Sequence, residues 1–202
     1  MKEHLTNRDK QALKTKRKLI TSARQIFLQN GFDKTTITQI AKHAQMGYGT
    51  AYVYFKNKHK LFIAIMEEIM QQFFQVAEQE FRPTTAEEAK SQIKDQVRGY
   101  LTLAIENKSM MKVVKEAIGS SETIQLEWNN IQDKFIKGIT SDIQHSQNKQ
   151  LVSHDFDPYI TAKSWYHMNE IFMWQLVDTN ESDSLEQIVE QLSLFYSSAL
   201  YS

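Results

Sequence analysis

Cysteine is absent from this 202-residue chain, which excludes disulfides, thiolate metal sites and cysteine nucleophiles. Proline occurs twice and glycine six times, so breakers of regular structure are few. No apolar run approaches the ~20 residues that cross a bilayer. The start, Met1-Lys2-Glu3-His4, leads into polar and basic residues and not into the apolar core of a signal peptide. A cytoplasmic location with no membrane partner is the expectation. Nucleophile–base constellations, HExxH patterns and phosphate-cradling glycine loops are also missing, so neither an enzyme nor a cofactor is expected. His145, His154, Asp155 and Asp157 lie close together in sequence and suit a metal. A helix-capping Asp157 with solvated neighbours explains them as well, and no metal site is expected.

A net charge of zero conceals a division. Residues 1–62 hold 13 Lys or Arg against 3 Asp or Glu, for +10, and the remaining 140 residues carry −10. A basic part attracts a polyanion and an acidic part repels one. A merely solubilising basic face is the other explanation.

Apolar residues recur at helical spacing almost throughout, and sustained alternation is absent. The pattern predicts an all-α protein of about nine helices. The first runs from near Asp9 to Asn30, with Leu19, Ile20, Ala23, Ile26 and Phe27 on one face and Gly31 as its stop. The second opens at Thr36, which has capping-box spacing to Gln39, and buries Ile37, Ile40, Ala41 and Ala44. After Gln45-Met46-Gly47 a brief third helix ends near Phe55. Asn57 caps a fourth helix reaching about Phe81. Further helices are predicted over Thr85–Asn107, Met110–Ile118, Glu122–Ser146 and Asp157–Val177, and from Ser184 to the end, with a loop over Asp178–Asp183. Residues 1–57 and 58–202 are the expected domains, because the charge changes sign at the fourth helix.

The third helix is chemically unusual. Gly47 and Gly49 at its start cost about 1 kcal/mol each relative to alanine inside a helix. They suit a helix whose backbone must approach a nucleic-acid groove. Ala51 and Phe55 can face the core while Tyr48 and Tyr52 share the outer face. The hydroxyls of Thr50, Tyr48 and Tyr52 can donate to phosphate oxygens. Lys56-Asn57-Lys58-His59-Lys60 then sets basic side chains against a helix N-terminus, where they oppose its dipole. Lys58 beside free N–H groups would make an anion site; a solvated loop of ordinary lysines is the alternative.

These residues, in order and without gaps, resemble the TetR family of one-component repressors. Leu19-Ile20-Thr21-Ser22-Ala23, Ile26-Phe27 and Gly31-Phe32 are similar to its first helix, and Thr35-Thr36-Ile37-Thr38-Gln39-Ile40-Ala41 to its second. Gly49-Thr50-Ala51-Tyr52-Val53-Tyr54-Phe55-Lys56-Asn57-Lys58-His59-Lys60-Leu61 resembles its most diagnostic stretch. The resemblance implies an N-terminal helix-turn-helix three-helix DNA-binding domain joined to a larger helical ligand-binding and dimerisation domain. It implies a homodimer on a double-stranded, pseudo-palindromic DNA operator, released by a small hydrophobic effector. By position, Gly47, Tyr48, Gly49 and Thr50 would meet bases or nearby phosphates, Tyr52, Tyr54, Lys56 and Lys58 would hold the backbone, and Thr36 and Thr38 would touch phosphate. Gln45 departs from the family's usual glycine. With Gly47, that departure supports a second reading, a small-molecule-binding or interaction protein with degenerate DNA reading.

Beyond Phe81 only the architecture of the resemblance extends. An effector pocket would draw on Phe73, Phe74, Tyr100, Met110, Met111, Trp128, Phe135, Trp165, His167 and Met168, residues that serve equally as plain core. Glu106, Glu116 and Glu170 would pair a cationic effector if buried. The resemblance implies that the last two helices pair with their twofold mates through Phe172, Leu176, Leu185, Ile188, Val189, Leu192, Phe195, Tyr196 and Ala199. Packing within the monomer is the alternative for that stripe.

Overall fold

A computed structural model describes residues 6–79, 81–179 and 184–201. Among them are nine α-helices and no strand: α1 Asn7–Asn30, α2 Ile37–His43, α3 Tyr48–Tyr54, α4 Lys58–Ala77, α5 Ala86–Glu106, α6 Lys108–Ser120, α7 Glu122–Asn148, α8 Pro158–Asp178 and α9 Leu185–Leu200. The loop expected over Asp178–Asp183 lies largely outside the described residues, as does Met1-Lys2-Glu3-His4.

Local chemistry sets most boundaries. Thr6 and Asp9 form a capping box that starts α1 two residues before the expected point. Asp157 accepts the Ile160 N–H at 2.8 Å, with Pro158 in the first turn of α8. Thr85 accepts the Glu88 N–H at 3.2 Å, yet the Glu88 carboxylate reaches Thr84 N–H and Oγ1, both at 2.7 Å. That start is therefore wrapped over one more residue than a capping box requires. α4 stops at Ala77, before the expected Phe81. α6 continues through Gly119 to Ser120, where the sequence suggests a break. A lone glycine weakens a helix by about 1 kcal/mol, which tertiary packing overrides.

The chain packs as two compact units. The first comprises Met1–Glu68 and Lys112–Glu127, the second Ile69–Met111 and Trp128–Ser202. In the first, α1 buries Leu19, Ile20, Ala23, Ile26 and Phe27, the face its spacing predicts. Phe27, Phe32 and Phe62 interlock, with Phe62 edge-on to the other two rings at 4.8 and 4.9 Å. Such a cluster holds α1 and the start of α4 together and gives α2 and α3 a rigid support. In the second unit, α5 lies against α8 and α9. Gly99 lets α4 come close, since a Cβ there would sit 2.8 Å from Val76.

Candidate nucleic-acid interface and ligand cavity

α2 and α3 are joined by a turn whose hydrogen bonds define its shape. Gln45 has φ 51°. The Met46 N–H reaches Ala41 O at 2.9 Å and the Gln45 N–H reaches Lys42 O at 3.0 Å. This is a Schellman stop with glutamine in the left-handed position where glycine is favoured. The side chain adds strain of about 1 kcal/mol, and the turn closes regardless.

α3 follows, seven residues long, with Gly47 as its N-cap. Ala51 and Phe55 are buried, while Tyr48 and Tyr52 face outward with rings 4.5 Å apart. The Tyr52 hydroxyl pushes the Tyr48 phenol above its usual range, so Tyr48 stays a neutral donor at physiological pH. Thr38, Gly47, Gly49, Thr50 and Lys56 are exposed and Tyr54 is half-buried. A Cβ at Gly49 would meet nothing within 4 Å, and one at Gly47 only Thr50 Oγ1 at 3.8 Å. Nothing inside the protein requires glycine at either place.

Two expected phosphate contacts have other partners here. The Thr36 hydroxyl accepts the Gln39 N–H at 3.3 Å and donates to Gln39 Oε1 at 3.1 Å, so the capping box engages it fully. The Lys58 ammonium donates to Phe32 O at 2.8 Å and Asp33 O at 3.0 Å and rests 4.4 Å from the centre of the Phe32 ring. It therefore fastens the α1–α2 loop to α4. One N–H of the same helix end is engaged as well, since Asn57 Oδ1 accepts the Lys60 N–H at 2.9 Å.

The second unit holds a cavity of about 70 Å3 whose walls include Tyr100, Phe135, Trp165, Tyr166 and Asn169. Tyr100, Phe135 and Trp165 of the expected pocket set are among these walls. Phe73 is buried against Tyr100, and Phe74 stacks on Phe135 beneath the Lys134 ammonium. Met110, Met111 and Trp128 are core. None of these five lines the cavity, nor do His167 and Met168. Glu170 is buried and accepts from Trp128 Nε1 at 2.9 Å and Gln132 Nε2 at 2.8 Å, and His167 Nδ1 lies 3.1 Å from its carboxylate. Glu106 is exposed, and Glu116 is engaged by the Asp33 N–H. The sequence reading missed the other wall residues, and among those Asp142 is the one carboxylate.

Residues 19–65 match the family model described as bacterial regulatory proteins, tetR family. The likeness to that family is to this segment of the chain. The chain is 34% identical over 64 residues to the fatty acid metabolism regulator protein of Bacillus subtilis, a match covering 32% of this chain and 33% of that protein. The curated relatives are thus matched over only about a third of their length. Salmonella enterica GusR has the same fold, with TM-score 0.77 and 16% identity over 94% of this chain and 97% of that one. So does FadR from Bacillus subtilis, solved in complex with stearoyl-CoA, with TM-score 0.71 and 17% identity over 91% of this chain and 98% of that one. The likeness of fold therefore extends well past the matched segment.

The stripe expected to join two protomers is mostly internal. Leu176, Ile188, Val189, Leu192 and Tyr196 are buried within the single chain, and Trp165 stacks on Tyr196 at 4.1 Å. These side chains pack α8 and α9 against their own protomer. Phe172 and Leu185 are half-buried. Of the expected set, Phe195 and Ala199 face outward, and the exposed apolar residues beside them are Leu194 on α9 and Ile160 and Ile171 on α8. Ile160 and Ile171 lie three turns apart on one α8 face. The sequence signal for this face was a second, narrower apolar register that the wide core stripe concealed.

Proposed function

We propose that the chain is a transcriptional repressor that grips a pseudo-palindromic DNA operator as a homodimer and is released by a small molecule bound in its second unit. One observation carries the reading: Gly47 and Gly49 have room for a side chain inside the protein. At Gly49, inside α3, the helix gives up stability that alanine would supply, which suits a surface that must come close. Gly47 is the N-cap, a position that favours glycine over alanine. Around them stand Tyr48, Thr50, Tyr52, Thr38 and Lys56, all exposed donors, on the part of the chain that carries +10. Phosphate contacts from these donors fix the register, and Tyr48 and Thr50 read base edges. Tyr54 and Lys58 take a smaller part, since Tyr54 is half-buried and two N–H groups of Lys58 are engaged by carbonyls.

A homodimer is supported by Ile160, Ile171, Leu194 and Phe195, each more than half exposed on α8 and α9. Apolar side chains of that size on two adjacent helices suit a second copy of the same surface. Effector release is supported by the aromatic cavity and by relatives of this fold solved with stearoyl-CoA and with triclosan.

Footprinting of the purified chain on genomic DNA tests the reading. One enriched palindrome, protected in wild type and lost in Tyr48→Ala/Tyr52→Ala, is the expected result. Binding by both proteins without sequence preference would overturn it. Sedimentation of Ile171→Glu/Phe195→Glu should give monomers where wild type gives dimers. A dimeric double variant would remove this face from the interface.

A further inference from the structure

The cavity of the second unit has one ionisable side chain other than tyrosine in its walls, and that side chain is an acid. Asp142 lies on α7 facing Trp165, and it also borders a smaller space of about 30 Å3 beside Tyr196 and Tyr201. No lysine, arginine or histidine lines either space. Among the described residues no hydrogen bond or ion pair ends on the Asp142 carboxylate. Arg82, the cation nearest in effect, has its guanidinium on the Phe81 carbonyl at 2.8 Å. A half-buried carboxylate with no partner is costly, and natural sequences keep such groups where function needs them.

The other walls fit a cation as well. Tyr100 and Phe135 stand edge to face at 6.1 Å, and Phe135 and Tyr166 stack at 5.7 Å. Aromatic faces attract ammonium groups and do so more strongly when water is excluded. Burial pushes the Tyr100 and Tyr166 phenols well above their usual range, so they remain neutral and do not add charge. A carboxylate ligand would instead be placed beside Asp142 with no lining cation to receive it, a repulsion that a low-dielectric site amplifies.

We infer that this cavity takes a compact organic ammonium ion, with Asp142 as its counter-ion and the aromatic walls around its apolar body. The inference rests on the effector reading above and names the ligand class of that same site. The size follows from the space. About 70 and 30 Å3 fall below the ~150 Å3 of a cavity that admits benzene, so one ring is the upper limit for the ligand and enters only where the walls move outward.

Calorimetry on the full chain at pH 7.5 tests this with three probes of one shape: phenethylamine, phenylethanol and phenylpropionate. The amine should bind wild type at least ten-fold more tightly than the alcohol, and the acid should not bind. Asp142→Asn should weaken the amine at least ten-fold and leave the alcohol unchanged. Arg82→Gln, which removes the competing cation, should strengthen the amine. Melting curves establish that both variants are folded. Equal amine affinity in wild type and Asp142→Asn, or no amine binding to wild type, would overturn the inference. Calorimetry needs no DNA, so the effector reading is judged separately. If phenylpropionate or a neutral cell extract releases the operator while amines do not, that reading stands and the ammonium assignment falls.

Discussion

Glu116 Oε1 accepts the backbone N–H of Asp33 at 3.1 Å, joining α6 to the loop between α1 and α2 within the first unit. The same carboxylate leaves no room at Gly31, where a Cβ would lie 2.6 Å from Oε2. Gly31 also has φ 75°, where a side chain costs about 1–2 kcal/mol. Glu116→Ala should lower stability by about 1 kcal/mol, the worth of an ordinary hydrogen bond. Gly31→Ala should cost more, and in the Glu116→Ala background it should cost only the backbone part. Urea melts of the four proteins measure this coupling, and strict additivity would show that the contact carries no energy.

Lys56 and Lys58 lie two residues apart and should behave differently. Lys56 is exposed, whereas the Lys58 ammonium is bound to Phe32 O and Asp33 O. Lys56→Ala should reduce the slope of log affinity against log salt by about 1 per protomer and leave the melting point unchanged. Lys58→Ala should lower stability by about 1–2 kcal/mol, since charged hydrogen bonds are the stronger kind, with a smaller change in salt slope. Equal slopes and equal melting points for the two variants would contradict the geometry.

Gly49→Ala separates the needs of the fold from those of DNA. A Cβ there touches nothing within 4 Å, and alanine in a helix is better than glycine by up to about 1 kcal/mol. The variant should melt higher and bind operator at least ten-fold more weakly, as measured by thermal denaturation and fluorescence anisotropy. A more stable variant with unchanged operator affinity would remove the close-approach argument.

The helices were legible because their signals are local: spacing for the core face of α1, Thr36 with Gln39 for the start of α2, Asp157-Pro158 for α8. The outward pair Tyr48 and Tyr52 was legible for the same reason, being one helical turn apart. What could not be read depends on the choice of partner across the fold. Lys58 is basic in any reading, but only the three-dimensional path of the α1–α2 loop brings two carbonyls to it. Leu192 and Phe195 belong to one apolar stripe in sequence, yet packing against α5 and α8 buries the first and leaves the second outside. Asp142 lies among polar residues on α7 and gains meaning only from the aromatic side chains that α5 and α8 bring to it.

Gln45 and Gln150 are the two non-glycine residues with positive φ among those described, at 51° and 60°. Both close Schellman stops. At the end of α7 the Leu151 N–H reaches Ser146 O and the Gln150 N–H reaches Gln147 O, each at 2.9 Å. Gln45→Gly and Gln150→Gly should therefore each stabilise the chain by roughly 0.5–1 kcal/mol, the left-handed penalty less the added entropy of glycine when unfolded. Thermal melts measure both. Destabilisation by Gln150→Gly would mean that its side chain contributes more than its backbone costs.

Burial pushes the Asp142 carboxyl up to about 6, against a partial opposing pull from Arg82. Its folded pKa thus lies above the ~4 of an unfolded aspartate. Below about pH 4 the group is neutral in both states and has no effect; above about pH 6 it is charged in both and the folded state bears the cost of desolvation. Stability due to this group therefore falls as pH rises from 4 to 6. The other groups facing it, Tyr196 and Tyr201, are pushed upward and stay neutral throughout that window. Asp142→Asn should be more stable than wild type at pH 7.5 by on the order of 1 kcal/mol, reduced from the full shift by the water that still reaches the carboxylate. The advantage should shrink to nothing by pH 4. Urea melts of both proteins at pH 4, 5, 6 and 7.5 give the difference directly and cancel the titration of every other carboxylate. A gap that is constant with pH would mean that Asp142 is fully hydrated in the folded chain, and a gap of opposite sign would mean that it has a cationic partner. A bound ammonium ion should reverse the sign as well, stabilising wild type alone above pH 6. The same titration repeated with phenethylamine therefore reports on the counter-ion role of Asp142 through stability, independently of any binding isotherm.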